Sequence, residues 1–224
     1  MEAIRKQAVL TFSKNGVGSV FEENLKKLHS LMNGLTSAEV NLDHRLLSTA
    51  VNAQPHRNYK GAPVTYIEIL NDTSVTINMF VLRAGSKLPL HDHPLMYGIC
   101  KIVHGRVRVR NYSLISDVTA TLDRHSNVFA YREPDLVVDE RDDAVLLTPE
   151  KRNLHEIEAI DGPAAFVDVL APPYRTPVNG FGPRPCHYYQ ELDPEDKDSG
   201  PVRQLAKTAK APGYWTDYAP YLGP

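Results

Sequence analysis

Cysteine is scarce: Cys100 and Cys186 are the only two in 224 residues. That excludes the disulfide framework of small secreted domains and fits a reducing compartment, each thiol being read first as a buried side chain. No apolar run approaches the roughly 20 residues of a membrane span, and the opening MEAIRKQAVLTFSK lacks the apolar region of a secretory signal. A cytoplasmic protein without a membrane partner is expected. Charge of either sign is not in excess, since 25 basic against 27 acidic residues leave a formal −2; no global basic field points to nucleic acid or an anionic bilayer. The length suffices for one principal domain whose core needs no covalent staples.

What is present divides into three by pattern. Residues 1–55 read as a helical segment. Ser19 with Glu22 resembles a capping box, Phe21, Leu25, Leu28, Met32 and Leu35 keep a helical rhythm, and Thr36 with Glu39 repeats the capping signal before a further short helix. These helices are expected to pack on the outside of a sheet, with a partner-binding amphipathic face as the lesser reading. Turn formers from Pro55 to Pro63 mark a loop.

Residues 56–192 hold short β-rich segments: Thr65 to Leu70, Val75 to Leu82, Tyr97 to Val103, Arg106 to Tyr112, Val118 to Leu122, Val128 to Tyr131, Leu136 to Val138, Ala144 to Thr148, Leu154 to Ile160, Ala164 to Leu170 and His187 to Leu192. Such spacing predicts an all-β sandwich, jelly roll or barrel. His104 and Gly105 read as a tight hairpin, because glycine tolerates positive φ at its second central position. Arg106, Arg108 and Arg110 then share a face opposite Val107 and Val109, the pattern of a solvated outer surface more than of an anion-binding row. Residues 193–224 are charged and proline-rich, and are expected to run over the barrel surface, pinned by Trp215, Tyr218 and Tyr221.

The richest stretch is GSKLPLHDHPLMYGICKIVHG, Gly85 to Gly105. On a strand His91 and His93 share a face and Asp92 points away, which offers two imidazoles to one metal ion. Reading outward through Gly85, His91, His93, Gly98 and Gly105, the spacing resembles the first cupin motif, with Gly98 where many cupins place a glutamate ligand. A catalytic metal site usually needs three protein ligands, and His155, opening a strand after a proline-containing turn, is the best third. Distant in sequence, it can still be adjacent in a barrel. Ser113 to Asp143 carries no recognisable motif, and His125 within it finds no support as a ligand.

The segments HDHPLMYGICKIVHGRVRVRNY, NLHEIEAIDGPAAFVDVLAPPY and CHYYQEL, in this order, resemble the thiol dioxygenases of the cysteamine (2-aminoethanethiol) dioxygenase and plant cysteine oxidase family. With the N-terminal helices, the likeness covers most of the chain. It implies a cupin double-stranded β-helix with helices packed outside, and Fe(II) held by His91, His93 and His155. It further implies transfer of both atoms of O2 to the sulfur of cysteamine or of an N-terminal cysteine, giving a sulfinate without an organic cofactor. Three neutral imidazoles leave Fe(II) its double charge, which favours an anionic thiolate ligand.

The same likeness puts Asp168 and Tyr174, in FVDVLAPPY, in the outer shell of the pocket. An ionised Asp168 in an apolar strand is costly unless a substrate ammonium, a histidine N–H or a buried arginine partners it, and Tyr174 follows two prolines that restrict its backbone. Relatives in the animal branch can form a thioether at the positions of Cys186 and Tyr188; a buried thiol beside a packed ring is the plain alternative. The matched motifs contain no arginine to receive a free cysteine's carboxylate apart from the outward row, although Arg175 and Arg184 lie close in sequence. Rival readings are a cupin isomerase or hydrolase using Zn, Mn or Ni, and a non-enzymatic cupin binding module.

Overall fold

A computed structural model describes residues 1–13, 19–51, 61–121, 127–178, 180–192, 200–209 and 213–224, with side chains of 19 and 48–51 excepted. The Ser19 half of the first capping box, most of the loop expected from Pro55 and all of His125 lie outside the described residues. Three helices come first: α1, Glu2–Phe12; α2, Ser19–Asn33; and α3, His44–Val51. Leu28 and Met32 are buried on α2 and Leu35 just beyond it, as their spacing predicts. Thr36 and Glu39 do make the reciprocal capping bonds, Thr36 N–H to Glu39 Oε2 at 2.9 Å and Glu39 N–H to Thr36 Oγ1 at 3.3 Å. They close only a turn, which ends at Asn41 with φ 46°, and the next helix waits until His44.

The strands follow: β1, Val64–Asn71; β2, Thr76–Leu82; β3, Lys87–Asp92; β4, Tyr97–Leu114; β5, Val128–Arg132; β6, Leu136–Asp139; β7, Val145–Leu147; β8, Leu154–Ala171; β9, Tyr188–Glu191; β10, Val202–Thr208; and β11, Thr216–Tyr218. Pairing runs β8–β3–β9–β10–β5–β4 and returns from β4 to β8, closing a six-stranded barrel. Closure removes the open edges that an isolated sheet would expose. The β2 and β1 strands extend the wall beyond β8, with β11 added in parallel to β1. This is the expected all-β barrel of cupin type with helices outside.

Both faces of β8 are covered, which explains why AAFVDVLA is almost continuously apolar. Val167 and Val169 join Ile4, Ala8, Leu28 and Met32 of the helices, with Ile77, Met79 and Ile99, in one core. Ala164 and Phe166, on the other face, pack with Leu88, Cys100, Ile102, Val107 and Ile157. Asp168 alternates with Val167 and Val169 and so belongs to the face of Phe166. Among the described residues, no helix is long and apolar enough to cross a membrane.

Four local expectations are corrected. His104 and Gly105 do not reverse the chain: β4 runs through them as one strand, and Gly105, at φ 74°, instead shifts its register against β8. Leu154 to Ile160 and Ala164 to Leu170 are likewise one strand, with Gly162 at φ 140° opposite that irregularity. Glycine's freedom serves a bulge here, not a turn. Of the strand expected over Val118 to Leu122, the described part, Val118–Thr121, is no strand either, because Asp117 Oδ1 accepts from Thr119 N–H at 2.8 Å and winds it into a 3-10 turn. Finally, the C-terminal residues do more than run over the surface, since β10 is a barrel strand. Of the three aromatics proposed as pins, Tyr221 packs against the core and Tyr218 meets Tyr66 edge-on at 5.5 Å, while Trp215 is 45% exposed.

The arginine row is a solvated face. Arg106, Arg108 and Arg110 reach Asp161, Glu158 and Glu156 on β8 at 3.3, 3.1 and 3.2 Å, while Val107 and Val109 are buried.

A Cβ at Gly105 would stand 2.3 Å from Pro163 O in addition to the positive φ. Gly105→Ala is therefore expected to lower unfolding free energy by about 2–4 kcal/mol, measured by urea denaturation. A loss below about 0.5 kcal/mol, the range of neutral surface changes, would contradict the close approach of β4 and β8.

Candidate metal centre

Strand pairing assembles the site. His91 on β3 stands directly opposite His155 on β8, and His93, one residue beyond β3, is held by its N–H to Asn153 O at 2.7 Å. The three rings lie 4.7–4.8 Å apart, centroid to centroid, and their ligating nitrogens fall within 4.8 Å of one another. All three are buried, at 6%, 1% and 3% exposure for His91, His93 and His155. This is the group of His, Cys, Asp or Glu side chains among the described residues that meets the geometry of a metal site.

Their electronics suit a cation. Burial lowers the pKa of each imidazole, and neighbouring rings reinforce the effect at His93 and His155. At neutral pH the rings are therefore neutral, with lone pairs available. His91 Nδ1 donates to Pro89 O at 2.8 Å, which leaves Nε2 as the free ligand atom. His93 Nδ1 meets the Tyr174 hydroxyl at 2.9 Å, and that hydroxyl donates to Asp92 O at 2.6 Å, so His93 Nε2 is free as well. His93 Nε2 and His155 Nε2 are 3.1 Å apart: two nitrogens aimed at the same point, an arrangement a shared cation satisfies.

Gly98 supplies no fourth ligand. A Cβ there would meet Leu147 carbons at 2.8 Å and Leu170 at 3.0 Å, so packing leaves no room for a glutamate.

Asp168 is 3% exposed, and its Oδ1 has no hydrogen-bond partner among the described residues. Burial pushes its carboxyl up to about 8. Its cross-strand neighbours are Cys100 and Asn78; Asn78 Oδ1 accepts from the Tyr66 hydroxyl at 2.6 Å, and Asp168 Oδ1 receives nothing from the Asn78 amide. A buried arginine is no partner either. Arg184, fully buried, spends its donors on the carbonyls of Thr176, Pro94, Pro172 and Pro173, bracing the loops beside the site. Arg175 is exposed.

Tyr174 is in direct contact with the site, through His93. Cys186 and Tyr188 are near it, though not as neighbours on one strand, because β9 begins only at Tyr188. The Cys186 thiol engages the Tyr174 hydroxyl, and burial pushes that thiol up to about 12. Tyr188 pairs with His91 across the strands, its ring 6.5 Å from the imidazole and 5.8 Å from Tyr214. Cys186, His187 and Tyr188, with Lys207, Thr208 and Ala209, line an open cavity of about 510 Å³.

Sequence reading missed Asp92, His187, Tyr189 and Asn153 as parts of this centre. Asp92 does point away from the histidine face as expected, but its carboxylate is only 2% exposed and accepts from the His187 backbone and imidazole and from Tyr189. A carboxylate placed on the buried side of a strand was the available signal, since such a group requires donors.

Asp168 makes metal-free stability depend on pH. Its folded pKa, about 8, exceeds the unfolded value near 4, so the native state retains a proton that the unfolded state releases between those limits. Its stabilising share is complete below about pH 4 and is lost as pH rises toward 8, at up to about 1.4 kcal/mol per unit. Asp168→Asn is expected to flatten the dependence between pH 5 and 7.5, compared by urea unfolding of the metal-free proteins. Equal slopes in parent and variant would show that burial leaves this carboxyl unperturbed.

The comparisons bear on this geometry. The PCO_ADO family matches residues 31–224. The 2-aminoethanethiol dioxygenase of Mus musculus is 34% identical, over 100% of this chain and 95% of its own length. That of Homo sapiens is 32% identical with the same coverage. Plant cysteine oxidase 1 of Arabidopsis thaliana is 25% identical over 91% of this chain and 67% of its own. Full-length similarity of this degree sets aside the isomerase, hydrolase and binding-module readings. The chain belongs to the PCO_ADO family and is a thiol dioxygenase.

Proposed function

We propose that His91, His93 and His155 hold one Fe(II), and that the enzyme converts the thiol of cysteamine, of an N-terminal cysteine, or of both to a sulfinate with O2. The observation that carries this reading is the convergence of three buried, neutral imidazoles without a carboxylate among them. Bound there, Fe(II) supplies the redox chemistry between thiolate and dioxygen and, coordinated by neutral ligands, favours the thiolate over the thiol. Stoichiometry closes without an external reductant: the thiol and one O2 give one sulfinate, the S–H proton being released.

The remaining work falls to the chain. Pro89 O and the Tyr174 hydroxyl fix the tautomers of His91 and His93, so that each presents Nε2. Asp168 is proposed as the acceptor for the substrate's ammonium, which lies two carbons from the thiol in both substrate types. Its unpartnered oxygen supports this role, because an arriving cation offsets the cost of ionising a buried carboxylate. Free cysteine adds a carboxylate that Asp168 repels, and Arg184 is already committed to carbonyls. Cys186 and Tyr188 are proposed as a pair that a thioether can join once iron and oxygen are present. A reducing, cytoplasmic setting agrees with the two free thiols.

Parallel oxygen-uptake assays with product mass spectrometry test the reading: cysteamine and Cys-initiating peptides are expected to turn over at least about 10-fold faster than free cysteine, a difference of about 1.4 kcal/mol. Equal conversion of free cysteine would remove the specificity argument. His91→Ala, His93→Ala and His155→Ala are each expected to lose iron and turnover with the barrel intact, and full activity in any of them would remove that residue as a ligand. For the proposed thioether, iron-loaded protein after turnover is expected to yield a 186–188 peptide lighter by two hydrogens; an unmodified mass throughout would rule the crosslink out.

A further inference from the structure

Asp92 lies between two of the histidines yet faces away from them, and it is among the most heavily bonded side chains in the barrel wall. Its Oδ1 accepts from His187 N–H at 2.8 Å, and its Oδ2 accepts from His187 Nδ1 at 3.0 Å and from the Tyr189 hydroxyl at 2.8 Å. Its backbone joins in: Asp92 N–H donates to His187 O at 3.1 Å, and Asp92 O accepts from the Tyr174 hydroxyl at 2.6 Å. A carboxylate 2% exposed would be costly without such donors. Here the burial is compensated by partners drawn from a single segment, the one carrying Cys186 and Tyr188.

We infer that Asp92 is a positioning residue that clamps the Cys186–Tyr189 segment onto the His91–His93 segment, setting where Cys186, Tyr188 and Tyr174 stand relative to the metal. The inference deepens the proposed function and rests on it. The clamp acts in both directions. Through His187 it fixes the strand that pairs Tyr188 with His91; through its carbonyl it fixes the hydroxyl that orients His93. None of its side-chain bonds touches a metal ligand, so loosening it displaces the pocket wall while the three imidazoles keep their cross-strand support from β8 and Asn153.

Asparagine cannot replace it. Three donors converge on the carboxylate, whereas an amide offers one acceptor oxygen and turns its NH2 toward at least one of those donors. Asn at 187 is a different matter, since its side-chain amide N–H takes the place of the imidazole Nδ1–H and keeps the bond to Asp92.

The test compares Asp92→Asn, His187→Ala and His187→Asn, and it uses a readout independent of catalysis: the rate at which iodoacetamide alkylates Cys186 in protein prepared without iron, followed by mass spectrometry, with buried Cys100 as internal reference. Asp92→Asn and His187→Ala are expected to alkylate at Cys186 about 10-fold faster or more, with Cys100 still protected and His187→Asn close to the parent. In iron-loaded protein the first two are expected to keep their iron and lose about 10–100-fold in turnover, as is usual for residues that orient a metal site, with recovery in His187→Asn. Parent-like Cys186 labelling in both disrupted variants would overturn the clamp. So would equal acceleration at Cys100, which would make Asp92 a determinant of global stability only. If the parent itself fails to oxidise thiols, the proposed function falls, and the alkylation rates still decide whether the clamp exists.

Discussion

The register between β3 and β8 is the constraint on which the centre depends. His91 and His155 stand 64 positions apart in the chain and face one point only because they are direct cross-strand partners. Side chains alternate along a strand, so a slip of one residue would send one imidazole to the opposite face. The slip is prevented by apolar burial on both sides of β8, where Val167 and Val169 seat the helices and Phe166 fills the barrel. Packing far from the three histidines thus sets their geometry. Gly105 and Gly162, both at positive φ, stand where the long strands β4 and β8 shift register against each other.

A second layer consists of buried polar groups, and each has a distinct consequence. Among the described residues no carboxylate pairs with Arg184; carbonyl oxygens of four residues take its donors, making it a brace for two loops. Asp92 has its donors within the 187–189 segment. Asp168 differs from both, since its Oδ1 lacks a partner among the described residues and its carboxyl is raised to about 8. Groups that are fully satisfied hold the structure, whereas one left unsatisfied inside a barrel is where a ligand's charge has most effect.

Much of this was legible in the sequence. The three histidines were readable from a His-x-His spacing on a strand and from motif order, and the helical rhythm of Leu28 and Met32 placed α2 against the sheet. The errors share a physical origin. Gly105 was read as a turn because positive φ is a local property, yet a turn and a bulge both use it, and only the cross-strand partner distinguishes them. Val118 to Leu122 has strand-like residues, but Asp117 bonding to Thr119 overrides that propensity. Asp92 and Arg184 escaped because their partners, the donors of His187 and Tyr189 for one and backbone carbonyls for the other, are brought near only by folding, which residue spacing does not encode.

The central claim is a three-imidazole iron centre that binds the substrate through sulfur. X-ray absorption at the iron edge, on anaerobic Fe(II)-loaded protein with and without cysteamine, addresses it most directly. The account predicts scattering from three imidazoles in the resting protein and a new sulfur shell when the thiol is added. A carboxylate among the protein ligands, or no sulfur on adding the thiol, would contradict it.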